Sequence, residues 1–187
     1  LRRYAVDALA GEILESLPVL KALSGAEKTL LAVTRQQVLS ESLDRGLRMA
    51  GVEVVRCPDR YPIALEPMLV QHLTGREIPQ PSGDARAVGT VVLDVITAAR
   101  VAQTLRDGTP SREILVQVSA PSQWIQSFVR MREGTLLQDA LEHLSPKPKN
   151  PVRVVCRGPF LGHAMYGLEV PLSQETETVL FQGADDF

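Results

Sequence analysis

Glu66 closely follows a predicted strand, at the place where α/β proteins usually hold their ligands. The run VEVVRC (52–57) has the composition of a buried strand, and Pro58 ends it; residues 62–73 then have the pattern of a helix. Because the carboxyl ends of parallel strands form the usual binding edge of an open α/β sheet, we expect function at this edge. A glutamate in the first turn of a helix is also stabilised by the helix dipole alone, so that interpretation of Glu66 stays open.

Asp94 lies at the end of a predicted strand, at 88–95, and Thr97 begins the predicted helix that follows, at 97–106. A helix N-terminus with a free hydroxyl is a typical phosphate site, and Thr97 supplies such a donor. Ionised Asp94, by contrast, accepts hydrogen bonds only and repels a phosphate. Each residue also has an ordinary structural interpretation: Thr97 as a helix N-cap, and Asp94 as an N-cap or a solvated turn residue.

Residues 1–120 alternate between predicted helices and short apolar strands, which is typical of a layered α/β domain. We expect Pro18 to kink or split the first helix. The predicted fold class is therefore α/β, a Rossmann-like three-layer domain built around a parallel sheet. The predicted helices cover 1–23, 36–50, 62–74 and 97–106, and the predicted strands cover 29–34, 52–57, 88–95 and 112–120.

The pattern changes after Ala120, so we place a domain boundary there and a second, smaller domain at 121–187. This part has the pattern of a strand with a turn, a short helix at 135–144, and further strands separated by turns. The loop 145–151 is rich in proline and fits neither a helix nor a central strand. A strand–helix–strand–strand unit of this size predicts a small β-grasp domain.

Composition excludes several classes of function. A net charge of −2, with no basic run interleaved with aromatic residues, argues against a nucleic-acid partner. The apolar runs are strand-sized, so no direct membrane span is expected. Cys57 and Cys156 lie far apart and make no cluster spacing, so each is expected to be a small buried residue of a cytoplasmic protein. The three histidines do not cluster either, and no metal site is expected.

Several motifs in order give the chain a family resemblance. Tyr61-Pro62, Glu66 and LTGREIP (73–79), then VGTVVLDVITA (88–98), resemble segments of the C subunit of the Rnf complex, an ion-pumping ferredoxin:NAD oxidoreductase. They are more distantly similar to the flavin-carrying subunit of respiratory complex I. The segment 156–172 resembles the soluble-ligand-binding β-grasp (SLBB) domain of those proteins. The resemblance implies FMN and NADH as cofactors, with Glu66, Asp94 and Thr97 bordering the cofactor site.

The departures from that family pattern matter for the chemistry. The family's glycine-rich cofactor loop and its cysteine-rich cluster segments have no counterpart in this chain, and Ala64-Leu65 replace its Gly-Gly pair. Asp94 stands where the family strand has Asn. With Leu1 in place of an initiating Met, we expect a piece of a longer flavoprotein subunit that is inactive alone and has no catalytic residue. The alternative is a non-catalytic module with a degenerate cofactor site, which docks a ligand or a partner.

The resemblance also implies partners and a location. The partners would be other subunits of a bacterial electron-transfer complex, with a small ligand at the β-grasp domain as a further candidate. The chain would then be cytoplasmic, and peripheral at the inner membrane through those partner subunits.

Overall fold

The chain divides into two compact units, Arg2–Pro110 and Ser111–Phe187, in a mixed α/β fold. The computed structural model describes residues 2–79, 81, 83–142, 153–158 and 162–183. The division falls after Pro110 rather than after Ala120. The strand Glu113–Ala120, which the sequence placed in the first domain, forms its hydrogen bonds with strands that follow it in the chain.

The first unit contains a parallel β-α-β element. Its described helices and strands are α1 Arg2–Ala8, α2 Ala10–Ser24, β1 Thr29–Thr34, α3 Glu41–Met49, β2 Val52–Cys57, α4 Glu66–Thr74 and α5 Val95–Asp107. Strands β1 and β2 pair in parallel from Thr29↔Val52 to Thr34↔Cys57, which confirms both predicted strands. The helical spacing of Leu43 and Leu47 places both side chains, fully buried, in a core cluster with Val6 and Val52.

Two predicted helix boundaries are wrong. The first helix divides at Leu9 (φ −117°, ψ 23°), whereas Pro18 lies inside α2; a proline removes one amide donor, and the helix here continues through that loss. Helix α3 begins at Glu41 rather than at residue 36. The reason is that the preceding residues are tied to α1: Asp7 accepts hydrogen bonds from the Gln37 amide and from the Ser40 N–H.

The predicted strand 88–95 is wrong. A 3₁₀ turn covers Ala85–Val88, Gly89 follows in a left-handed conformation (φ 69°), and α5 begins at Val95. Among the residues that the structure describes, no strand pairs with the valines of this run. Val88 and Val92 pack instead against a small apolar cluster that includes Val70 of α4. Within the described residues, the sheet of the first unit therefore has two strands rather than a broad parallel sheet.

The second unit is a mixed sheet with one helix packed on it. Its described elements are β3 Glu113–Ala120, β4 Ile125–Arg132, α6 Leu137–Glu142, β5 Arg153–Cys156, β6 His163–Ala164 and β7 Thr178–Gln182. The described strands lie in the order β4-β3-β7-β5-β6, with β3 parallel to β7 and the other neighbours antiparallel. Alternate residues of β3 are buried, and α6 contributes Leu137 and Ala140 to the same core. The predicted loop 145–151 lies outside the described residues.

Candidate functional site

Glu66 links helix α4 to the turn Ala85–Val88. It is the first residue of α4, and its Oε1 accepts a hydrogen bond of 3.0 Å from the Ala85 N–H. A carboxylate in the first turn of a helix is also favoured by the helix dipole. The side chain is exposed, yet its bond spans a long stretch of sequence and fastens a loop. The contact that the structure gives Glu66 is therefore structural.

Asp84 and Arg86 lie beside Glu66 and were missed by sequence reasoning. Asp84 caps the Ala85–Val88 turn by accepting a hydrogen bond of 2.8 Å from the Arg86 N–H. The Arg86 guanidinium also donates to the Asp84 carboxylate, through Nε at 2.7 Å. These hydrogen bonds from Arg86 lower the pKa of Asp84. The Asp84 carboxylate in turn raises the pKa of Arg86, with a smaller contribution from the charge of Glu66. The signal in the sequence was an acid two residues before a base, at the end of a Pro- and Gly-rich loop.

Asp94 is the N-cap of helix α5. Its backbone is extended (φ −76°, ψ 157°), and its Oδ1 accepts from the N–H groups of Ile96 at 2.9 Å and Thr97 at 3.0 Å. The Thr97 hydroxyl donates to Oδ2 of the same carboxylate at 2.6 Å. The interpretation of Asp94 as an N-cap is confirmed. Thr97 is not the N-cap. It lies in the first turn of α5, and its hydroxyl donates to Asp94, which is the N-cap.

The N-terminus of α5 does not fit a phosphate group. A phosphate there would need the N–H groups of Ile96 and Thr97 and the Thr97 hydroxyl, because these are the donors that a helix N-terminus offers an anion. Asp94 already accepts from all three. The carboxylate also brings its own negative charge to the same place, so a second anion would be repelled. Asp94 and Thr97 are thus brought together, while Glu66 takes its partner from a different segment.

The carboxyl ends of β1 and β2 form the polar edge where the sequence predicted function, although Arg56 and Gln37 were not identified there. The Arg56 guanidinium donates through Nη1 to the carbonyls of Gln37 at 2.7 Å and Arg35 at 3.3 Å, which holds the loop after β1 in place. An open cleft of about 560 Å³ is lined in part by these three residues. Close by, the buried Thr34 hydroxyl is without a hydrogen-bond partner in the described part of the chain.

Two classes of feature are missing from the described residues. No three His, Cys, Asp or Glu side chains come together there as a metal site would require. None of the helices in the same residues has the length and apolar character needed to cross a membrane. Cys57 and Cys156 are both buried and free, as predicted, and burial raises the pKa of each thiol.

Comparisons with known proteins give consistent results. A family model described as the Nuo51 FMN-binding domain matches residues 3–103. The C subunit of the proton-translocating ferredoxin:NAD(+) oxidoreductase complex of Clostridium ljungdahlii is 25% identical over 170 residues, covering 90% of this chain and 37% of that protein. The C subunit of the ion-translocating oxidoreductase complex of Erwinia tasmaniensis is 28% identical over 180 residues, covering 95% of this chain and 22% of that protein.

A third relative is a subunit of a complex named as Na(+)-translocating. The C subunit of the Na(+)-translocating ferredoxin:NAD(+) oxidoreductase complex of Acetobacterium woodii is 23% identical over 181 residues, covering 95% of this chain and 40% of that protein. The chain therefore spans less than half the length of each of these relatives.

Proposed function

Because the chain belongs to the Nuo51 FMN-binding domain family, we propose that it is part of the C subunit of an Rnf-type ferredoxin:NAD oxidoreductase. The observation that carries this proposal is the similarity to such subunits over 90% or more of the chain, across both structural units. In this role the protein takes part in electron transfer inside a larger complex. Because the family's glycine-rich cofactor loop has no counterpart in this chain, we expect the chain to be inactive in isolation.

The two units take different roles in this proposal. The first unit is a Rossmann-like α/β domain, supported by its parallel β1-α3-β2 element. The second unit is a β-grasp domain of the SLBB type. Its support is the order hairpin, helix, then returning strands, with β3 and β7 as a parallel pair inside the sheet.

FMN and NADH are the cofactors that the family implies, and the residues present bear on FMN directly. Asp94 accepts from the donors at the α5 N-terminus that a flavin phosphate would use, so these residues do not fit FMN. Glu66, the counterpart of an acid near the flavin and nicotinamide, bonds to Ala85 instead. No step through either cofactor follows from these residues.

A second candidate function is favoured by the same observation. If the Asp94 carboxylate occupies the position where the flavin phosphate would bind, the first unit is a scaffold without flavin. The chain then acts as a non-catalytic docking module of the complex. In both cases the partners are other subunits of an Rnf-type complex. The protein would then be cytoplasmic and held peripherally at the inner membrane through those subunits.

The test of the first proposal is a genetic and biochemical one on the full-length gene product. Membranes from a strain that lacks the gene should lose ferredoxin-dependent NAD reduction, and the full-length gene should restore it. A tagged product should be isolated together with the other subunits of the ion-translocating complex. Unchanged activity in the deletion strain, with no such subunits in the isolate, would contradict the proposal.

A further inference from the structure

The second unit contains a cavity of about 270 Å³ that the proposed electron-transfer role does not use. Its floor is apolar, formed by Leu137, Cys156, Met165 and Leu172. Three of these, Leu137, Cys156 and Leu172, are buried members of the sheet-and-helix core. The size lies just below the usual range of pockets for drug-sized ligands, so the cavity suits a smaller molecule.

The walls of this cavity are held by backbone hydrogen bonds. The Leu137 N–H donates to the Val170 carbonyl at 2.9 Å, and the Leu172 N–H donates to the Thr135 carbonyl at 2.8 Å. Two further lining residues, Cys156 and His163, pair across the β5–β6 hairpin. The cavity is therefore formed by paired segments and is present before any ligand binds.

The polar rim favours an anionic ligand. Arg157, His163, Ser173 and Thr176 carry groups that can donate hydrogen bonds, whereas ionised Glu175 can only accept. Thr176 is buried, and its hydroxyl accepts from the Ser173 N–H at 3.2 Å, which fixes the turn that carries Glu175. The Ser173 and Thr176 hydroxyls lie 3.4 Å apart and bond to each other, so Arg157, which can only donate, is the group at the rim that favours a ligand with acceptor oxygens.

Arg157 holds an unusual backbone conformation at this rim. Its φ is 69°, a left-handed value that favours glycine, and its N–H is fixed by a 2.8 Å bond to the Thr178 carbonyl. Residues kept in sparsely populated conformations cluster at ligand sites, and the inference runs from the observed outlier to a function. An arginine stands here where a glycine would be relaxed.

The charge of Arg157 is met by a weak partner. Its Nη1 lies 3.2 Å from Oε2 of Glu175, and the two side chains are 51% and 75% exposed. Ion pairs this exposed contribute little, because water screens them and both side chains lose freedom. Another carboxylate can therefore replace Glu175 at Arg157 at small cost.

We propose that this cavity binds a small organic carboxylate. The acid group of the ligand replaces Glu175 as the partner of Arg157, and a short apolar tail lies on the floor formed by Leu137 and Leu172. This site goes beyond the proposed electron-transfer function and does not depend on it, since no flavin, nicotinamide or other protein of the complex takes part.

The test is an NMR titration of the 187-residue chain with pentanoate, with pentan-1-amine as the matched cation. We expect saturable amide shifts around Cys156, His163 and Thr176 with the acid and none with the amine. Glu175→Gln removes the competing carboxylate and should tighten binding by roughly 2- to 5-fold, the range of one exposed ion pair. Absence of saturable shifts with pentanoate, or equal shifts with the amine, would overturn the proposal.

Arg157→Gly supplies the variant that separates binding from folding. Glycine is relaxed at a φ of 69°, so the variant should melt at or above the wild-type temperature. It should lose pentanoate affinity by roughly 2- to 5-fold, because the pair between the exposed Arg157 side chain and the ligand carboxylate is lost. If this variant fails to fold, Glu175→Gln still decides: weaker or unchanged pentanoate binding in that variant overturns the proposal. Because the test uses the chain alone, its failure leaves the electron-transfer proposal untouched.

Discussion

Replacing Asp94 by alanine should destabilise the first unit through helix α5. The change removes an acceptor for two N–H groups and one hydroxyl, together with a negative charge at the positive end of the helix. Loss of an N-cap costs about 0.5–2 kcal/mol, and loss of the charge costs about 0.3–1 kcal/mol. The half-buried site leaves water some access to the freed groups. We therefore expect a loss of about 1–2 kcal/mol in the free energy of unfolding.

Urea unfolding followed by circular dichroism at 222 nm measures this loss, because helices dominate the signal of the first unit. Asp107→Ala is the matched control, since Asp107 is an exposed acid at the other end of the same helix, where the dipole disfavours it. It should change stability by less than about 0.5 kcal/mol. Asp94→Asn keeps the capping oxygen and should lie near wild type. Equal effects of Asp94→Ala and Asp107→Ala would refute the account of Asp94.

Three further predictions concern other contacts. Glu66→Ala should cost about 1 kcal/mol by freeing the Ala85 N–H, whereas Glu66→Gln keeps an acceptor and should cost less; equal urea midpoints for these two variants would contradict the bond. Arg86 lowers the pKa of the Asp84 carboxyl, so the pair stabilises the folded state above the unfolded-state pKa of Asp84, and this stability is lost as pH falls through the folded-state pKa. An NMR titration should find the pKa of Asp84 below the ordinary pKa of an aspartate. An ordinary pKa would argue against the pair. Burial raises the pKa of the Cys156 thiol, so the stability gained from burying the neutral thiol is complete below the unfolded-state pKa and declines as pH rises through the folded-state pKa. Alkylation of Cys156 at pH 7 should be slow until denaturant is added. Rapid labelling without denaturant would contradict the burial.

The parallel strands of the first unit were predictable because local pattern and tertiary role agree. Thr29–Thr34 and Val52–Cys57 are short apolar runs on either side of an amphipathic helix, and both form the expected pair. The run 88–95 has equally good strand composition but is not a strand. Gly89 adopts a left-handed conformation, and Val92 finds its apolar partners in a local cluster. Strand propensity measures fit to a half-buried surface, which tertiary packing can supply in another way.

The strand Glu113–Ala120 was predicted correctly as a strand, and the structure pairs it with strands that follow it rather than with those of the first unit. Its alternating burial, with Ile114, Val116 and Val118 inward, is the pattern of an antiparallel strand with one covered face. The short connection to Ile125 also favours a hairpin. Its place in chain order, after three predicted strands alternating with helices, led to its assignment as the next parallel strand. The alternation of buried and exposed residues along it predicts its antiparallel pairing more reliably.

The candidate site was only partly visible in the sequence. Asp94 could be identified as a residue that opposes a phosphate, since its charge follows from its type. That it accepts from Ile96 and Thr97 together depended on the exact start of helix α5, and helix boundaries are the least certain part of a sequence-based prediction. The pairing of Glu66 with Ala85 depends on loop geometry that no sequence pattern specified.

The most direct test of the central claim is a fluorescence titration of the full-length gene product with FMN and with riboflavin, which lacks the phosphate. If the Asp94 carboxylate takes the place of the flavin phosphate, the wild-type protein should not prefer FMN to riboflavin. Asp94→Asn removes the charge and restores a possible donor, so it should gain a preference for FMN of roughly 10-fold or more. A wild-type protein that binds FMN more than about tenfold more tightly than riboflavin would contradict the account, since an effect of that size corresponds to a favourable phosphate contact of about 1.4 kcal/mol.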